Sequence, residues 1–157
     1  MSEAGKDLDA TEQAILFAAA RADHVDDLIA PALEEGRWVV CDRFVDSTEA
    51  YQGVAGASGG VMAALRTVAV GAVMPDLTFV LDLPAELGRE RAADRDALDH
   101  FEQDALTVQR ARRDAFLEIA ARHPQRCVVV DATLSQYEIA GAIWNVVAER
   151  LLPTATI

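Results

Sequence analysis

Apolar residues in the first third of the chain recur at helical spacing, with Ile15, Ala18, Ala22, Val25, Ile29 and Leu33 on one stripe. The stripe predicts a long amphipathic helix. Asp9 is its expected N-cap, with Glu12 three residues on. A bend is expected before Pro31 and a stop at Gly36. The period then changes: Trp38-Val39-Val40-Cys41 is a short continuous apolar run, which predicts a strand buried on both faces. It breaks off at Asp42-Arg43. Asp46, paired with Glu49, is the expected N-cap of a second helix beginning near Ser47. Residues 53–60 read as a glycine-rich flexible loop, and 61–73 as a third helix ended by Pro75-Asp76.

A second strand is expected over 77–81, closing on Asp82, with Pro84 in the first turn of the next helix. Residues 89–99 are dense in charge and resemble a solvated lid carrying Arg89, Arg91 and Arg95. Asp99 and Glu102 are placed to cap a helix whose apolar side holds Phe101, Ala105, Val108, Ala115 and Ile119, ended by His123-Pro124. Cys127–Val130 is the third expected strand, running into Asp131. Ser135 and Glu138 form a capping box for a last helix that turns Ile139, Ile143, Val146 and Val147 inward. Three apolar strands separated by helices predict parallel β-α-β wiring, an α/β fold with an acid at each strand end. Ligands of open parallel sheets bind at such carboxyl ends.

Composition narrows this reading. A chain of 157 residues, 52% hydrophobic and 25% charged, is expected to be one globular, soluble domain spanning 1–157. The net charge of −12 disfavours a nucleic-acid partner, although a few arginines in a cleft still set a local positive field. No apolar run is long enough for a membrane span, so a cytoplasmic protein is expected. Cys41 and Cys127 lie in strand-like runs and are expected to be buried, reduced thiols, with a disulfide between them as the alternative; Trp38 and Trp144 are expected to pack.

The candidate chemistry gathers around Asp42 and Arg43. A carboxylate at a strand end suits Mg²⁺ held through water, and the adjacent guanidinium offers a planar fork to a phosphate. Phe17 and Arg21, four apart on a helix, present a ring that can stack on a base and donors for its carbonyl oxygen. Ser47, Thr48, Tyr51 and Gln52 follow within two turns. The plain alternatives are a strand-ending Asp-Arg pair, a core phenylalanine beside a solvent arginine, and hydroxyls bonded at a helix N-terminus.

Asp42-Arg43-Phe44, Ser47-Thr48 and Tyr51-Gln52-Gly53 resemble the D-R-[YFH]-x-x-S-x-x-A-Y-Q-G signature of bacterial thymidylate kinases. Phe17–Arg21, Pro75-Asp76-Leu77-Thr78 and Asp99-x-x-Glu102-Gln103 follow the family's order, so the resemblance covers roughly residues 10–150. It implies transfer of the ATP γ-phosphoryl to dTMP with Mg²⁺. Asp42 would serve the magnesium site, and Arg43 and Arg95 the phosphates. Phe17, Arg21, Ser47, Thr48, Tyr51 and Gln52 would hold the nucleotide, with Tyr51 against the ribose 2′ position. A homodimer is implied as well. Two positions depart from the family: His100 stands where relatives carry arginine, and Gly53–Gly56 lacks an arginine often found there.

The sequence contains no G-x-x-x-x-G-K-[ST] phosphate loop. The expectation is therefore an incomplete P-loop-kinase-like parallel sheet, truncated at the N-terminus and lacking its central strand, and a chain inactive by itself. The alternatives are a non-catalytic nucleotide-binding module or half of a split kinase, and an unrelated three-stranded regulatory domain.

Overall fold

The computed structural model describes residues 8–93 and 104–152. They fall into two compact units, one within Met1–Pro75 and one within Asp76–Ile157.

The first unit is helical. Helix α1 (Ala10–His24) opens on the expected capping box. The Asp9 carboxylate accepts from the Thr11 and Glu12 amides at 2.8 Å, and the Glu12 carboxylate accepts from the Asp9 amide at 2.9 Å. The chain continues through a π-helical turn, Val25–Ile29, into the short α2 (Ala30–Glu34). Pro31 explains the wide turn: it has no N–H to donate, and its ring crowds the carbonyl four residues back. Gly36, at φ 71°, then ends the helix in the left-handed conformation that a residue without Cβ adopts freely.

Helix α3 (Val45–Val54) and helix α4 (Gly59–Val70) complete the unit. Both reach into the expected glycine loop, leaving a tight connection that uses Gly56 at φ 105° and Ser58 as N-cap. Ala18, Val25, Ile29, Val45, Ala69 and Val70 form the core, joined by Val39, Phe44 and Leu65.

The expected first strand is absent. Residues 38–41 carry no ladder, and among the described residues the sheet has two strands, not three. Val39 packs into the helical core, but Val40 is 97% exposed and Trp38 62% exposed. An apolar run becomes a strand only where a neighbour takes up its N–H and C=O groups, and no described segment does so here. Cys41 is accordingly exposed rather than buried; Cys127 is buried, and both are free thiols.

The second unit carries the sheet. Strand β1 (Thr78–Asp82) pairs in parallel with β2 (Cys127–Asp131), Val80 against Val129 and Asp82 against Asp131. The Thr78 amide donates to the Arg126 carbonyl and the Ala132 amide to the Asp82 carbonyl, extending the ladder at both ends. Helix α5 (Ala85–Ala93) follows β1, with the Gly88 amide donating to the Pro84 carbonyl. Helix α6 (Leu106–Arg122) sets Phe116 and Ala120 against Val80 and Cys127.

The start expected for α6 at Asp99–Glu102, together with Phe101, lies outside the described residues. Helix α7 (Gln136–Leu151) opens on the Ser135–Glu138 capping box, as the sequence predicts. Its apolar residues Ile139, Ile143, Val146 and Val147 are only half-buried. Trp144, expected to pack, is 60% exposed.

Candidate functional site

Nearly every candidate residue lies in the first unit, on α1, α3 and the segment between them. Helix α3 begins at Val45, two residues before the expected start, and its N-cap is Phe44, whose side chain makes no capping bond. Asp46 is therefore not the cap but a first-turn residue, 6% exposed, its charge favourable at that end of the helix dipole. The early start follows from Arg43. At φ 62° it is the one described non-glycine residue in the left-handed region, and it turns the chain from the 38–42 segment into the helix.

Two arginine–aromatic pairs flank this turn. The Arg21 guanidinium lies over the Phe44 ring at 5.4 Å, and its Nη2 donates to the Phe44 carbonyl at 3.1 Å. The Arg43 guanidinium lies over the Tyr51 ring at 5.3 Å. Burial pushes the Arg21 pKa below its ordinary value, opposed by the charges of Cys41 and Asp46. Partial desolvation raises the Cys41 thiol; Arg21 opposes that shift and Asp42 adds to it. The Cys41 thiol is 3.5 Å from the Arg43 carbonyl, which it can reach as a weak donor.

Helix α1 meets α3 along a line of residues four apart. Gln13 Oε1 accepts from Gln52 Nε2 at 3.3 Å at one end, and Arg21 reaches the Phe44 carbonyl at the other. Phe17 is midway between them on that same face. On α3, Thr48 and Gln52 are one turn apart and buried, at 8% and 2% exposure, while Ser47 and Tyr51 share the neighbouring, half-buried face. Phe17, Arg21, Arg43, Ser47, Thr48, Tyr51 and Gln52 thus occur within one helical unit. The Gln52 amide donates to Gln13, a partner not foreseen because nothing local links residues 39 positions apart.

Asp42 is exposed on the bend beside Arg43. Among the described residues no three His, Cys, Asp or Glu side chains gather as a metal site. Its open carboxylate fits a hydrated Mg²⁺, which takes one or two carboxylates and keeps several waters. Arg95 lies outside the described residues, as do Asp99, His100 and Gln103.

In the second unit the strand-end acids are already engaged. Asp82 accepts from Arg113, and Asp131 accepts from the Thr133 hydroxyl and amide at 2.6 and 2.8 Å. Arg91, a lid candidate, donates to the Ala132 carbonyl at 2.8 Å, while Arg89 is exposed.

A two-stranded parallel sheet with its helices in one unit, and a helical unit carrying two arginine–aromatic pairs, define the class: an α/β protein. The family model described as thymidylate kinase matches residues 2–143. The thymidylate kinase of Bradyrhizobium diazoefficiens is 47% identical over 158 residues, covering 98% of this chain and 69% of that protein. That of Rhodopseudomonas palustris is 50% identical over 150 residues, covering 93% and 65%. That of Nitrobacter hamburgensis is 48% identical over 156 residues, covering 97% and 68%.

The chain belongs to the thymidylate kinase family, a family of nucleoside monophosphate kinases that use ATP and Mg²⁺. It spans about two thirds of the length of these curated relatives. Family membership sets aside the unrelated regulatory domain. No helix of the described residues is long and apolar enough to cross a membrane.

Proposed function

We propose that the first helical unit is the acceptor site for dTMP in phosphoryl transfer from ATP. Phosphoryl transfer asks a protein chiefly to position the two nucleotides and to neutralise phosphate oxygens. Arg43 grips the dTMP phosphate with its planar fork. Phe17 stacks on the thymine, and Arg21, steadied by Phe44, donates to a base carbonyl through its remaining N–H groups. Ser47 and Thr48 add hydroxyls beside the base, and Tyr51 crowds the ribose 2′ position. Gln52 keeps α3 in register with α1 through Gln13.

Asp42 would hold Mg²⁺ through water, and the bound ion would supply charge neutralisation for phosphate oxygens. The family resemblance gives Arg95 the role of serving the transferring phosphoryl. The observation that carries this reading is the shared face of Gln13, Phe17 and Arg21, tied to α3 at both ends.

Donor chemistry is a separate matter. A cradle of backbone N–H groups and a lysine holds ATP phosphates in P-loop kinases, and its motif is not among these 157 residues. We infer that a polypeptide of these residues alone binds dTMP without turning it over, as a binding module or one half of a split enzyme would. The resemblance also supports a homodimer, which sedimentation of the purified chain decides.

Calorimetric titration with dTMP, dUMP and dGMP tests the acceptor reading, and a coupled ADP assay with ATP, Mg²⁺ and dTMP tests the donor reading. Saturable dTMP binding without ADP release is the expected result. Equal affinity for all three nucleotides defeats the first reading, and steady ADP release defeats the second.

A further inference from the structure

We infer that Tyr51 is a positioning residue for Arg43, holding its guanidinium through the ring face so that the phosphate-gripping fork is set before dTMP arrives. The inference rests on the acceptor-site reading above and gives Tyr51 a second task besides its place at the sugar.

Three observations carry it. Arg43 adopts φ 62°, a conformation that side chains other than glycine rarely take. A strained residue persists where its surroundings fix it and often where a side chain must be aimed. Here the turn sends the Arg43 guanidinium to within 5.3 Å of the Tyr51 ring centroid. Side chains on a helix tilt toward its N-terminus, so the Tyr51 ring leans back from α3 toward the very turn that carries Arg43.

No salt bridge competes for this guanidinium: among the described residues, none of the carboxylate ion pairs includes Arg43. The ring is thus the neighbour that orients it. A π face attracts a cation while leaving every N–H at the guanidinium edge available. A carboxylate partner would instead occupy the donors that a phosphate needs. An exposed arginine otherwise samples many rotamers, and binding would have to order it at an entropic cost.

The consequence is specific to the phosphate. Losing the ring face should weaken dTMP more than thymidine, because only dTMP uses the oriented fork. The test measures the ratio of dTMP to thymidine affinity by calorimetry on the full chain. Wild type is compared with Tyr51→Phe, Tyr51→Leu, Arg43→Gln and the Tyr51→Leu/Arg43→Gln double variant. Thermal melts accompany each, and a fluorinated phenylalanine at position 51 keeps the ring's shape while weakening its negative face.

Tyr51→Phe is expected to retain the ratio. Tyr51→Leu and the fluorinated ring are expected to lower it about two- to five-fold. Adding Tyr51→Leu to Arg43→Gln should lower it no further. A fluorinated ring with an unchanged ratio, or full additivity in the double variant, overturns the inference while leaving the acceptor site standing. A wild-type chain that binds thymidine as tightly as dTMP defeats the acceptor-site reading itself, and the inference with it.

Discussion

The Asp82 carboxylate meets the Arg113 guanidinium along one edge, with Nε to Oδ1 at 2.6 Å and Nη2 to Oδ2 at 2.8 Å. This two-point contact ties the carboxyl end of β1 to α6. The Arg113 hydrogen bonds hold the Asp82 pKa below its ordinary 3.8, and the same bonds raise that of Arg113. A carboxyl depressed in the folded state contributes stability that is present above the unfolded-state value and lost as pH falls through the folded one.

Urea midpoints should therefore drop as pH falls below about 4. Part of that drop should vanish in Arg113→Met, which is destabilised near neutrality and converges on wild type in acid. Asp131 and Glu138 are also depressed, chiefly by side-chain bonds from Thr133 and Ser135, so some acid sensitivity remains in the variant. An Arg113→Met deficit as large at about pH 2 as near neutrality would refute the linkage.

Gln52 is 2% exposed, and its amide is bonded to Gln13 across the α1–α3 junction. Gln52→Ala opens a cavity and leaves Gln13 Oε1 without that donor, at an expected cost of about 2–3 kcal/mol. Gln52→Leu keeps most of the volume and should cost about 1 kcal/mol. Urea unfolding of both variants gives the comparison. Equal stability of Gln52→Ala and wild type would mean that the bond does not hold the helices together.

The two capping boxes belong to different units, and their loss should stay local. Asp9→Ala removes the acceptor for the Thr11 and Glu12 amides and should cost about 1 kcal/mol. Hydrogen exchange should speed up in the first turn of α1 while protection in α7 is unchanged. Ser135→Ala frees the Glu138 amide and should give the mirror-image pattern. Loss of protection in both helices from either substitution would contradict this separation.

Features encoded within a few residues were legible before the structure. Asp9 with Glu12, Ser135 with Glu138, Pro31 and Gly36 act on backbone groups one turn away, so sequence alone places them. The β1 and β2 runs were equally plain, because each has the other as a ladder partner. Residues 38–41 carry the same apolar signal but no described partner, and a strand is a property of pairs. The start of α3 was misplaced because the left-handed turn at Arg43 gives no signal in residue type. Asp82–Arg113 and Gln13–Gln52 join residues 31 and 39 positions apart, distances at which spacing carries no information. The family motif names residues on both α1 and α3, because it records such distant constraints together.

Arg43 offers the sharpest test of stability against function. Holding a residue with a Cβ at φ 62° costs about 1–2 kcal/mol, and glycine is free of that cost. Glycine also loses more chain entropy on folding, by about 0.5–1 kcal/mol, and gives up the contact with the Tyr51 ring, about 0.5–1 kcal/mol, so Arg43→Gly should stay within about 1 kcal/mol of wild type. Its dTMP affinity should nevertheless fall about ten- to hundred-fold, because charge-assisted hydrogen bonds to the phosphate are gone. Saturating dTMP should raise the Tm of wild type through mass action, and the variant should show little of that rise at the same concentration. Arg43→Lys keeps a charge but not the planar fork, and should fall between the two. A glycine variant less stable than wild type by more than about 2 kcal/mol, yet stabilised by dTMP to the same extent, would show that residue 43 shapes the chain and does not hold the ligand.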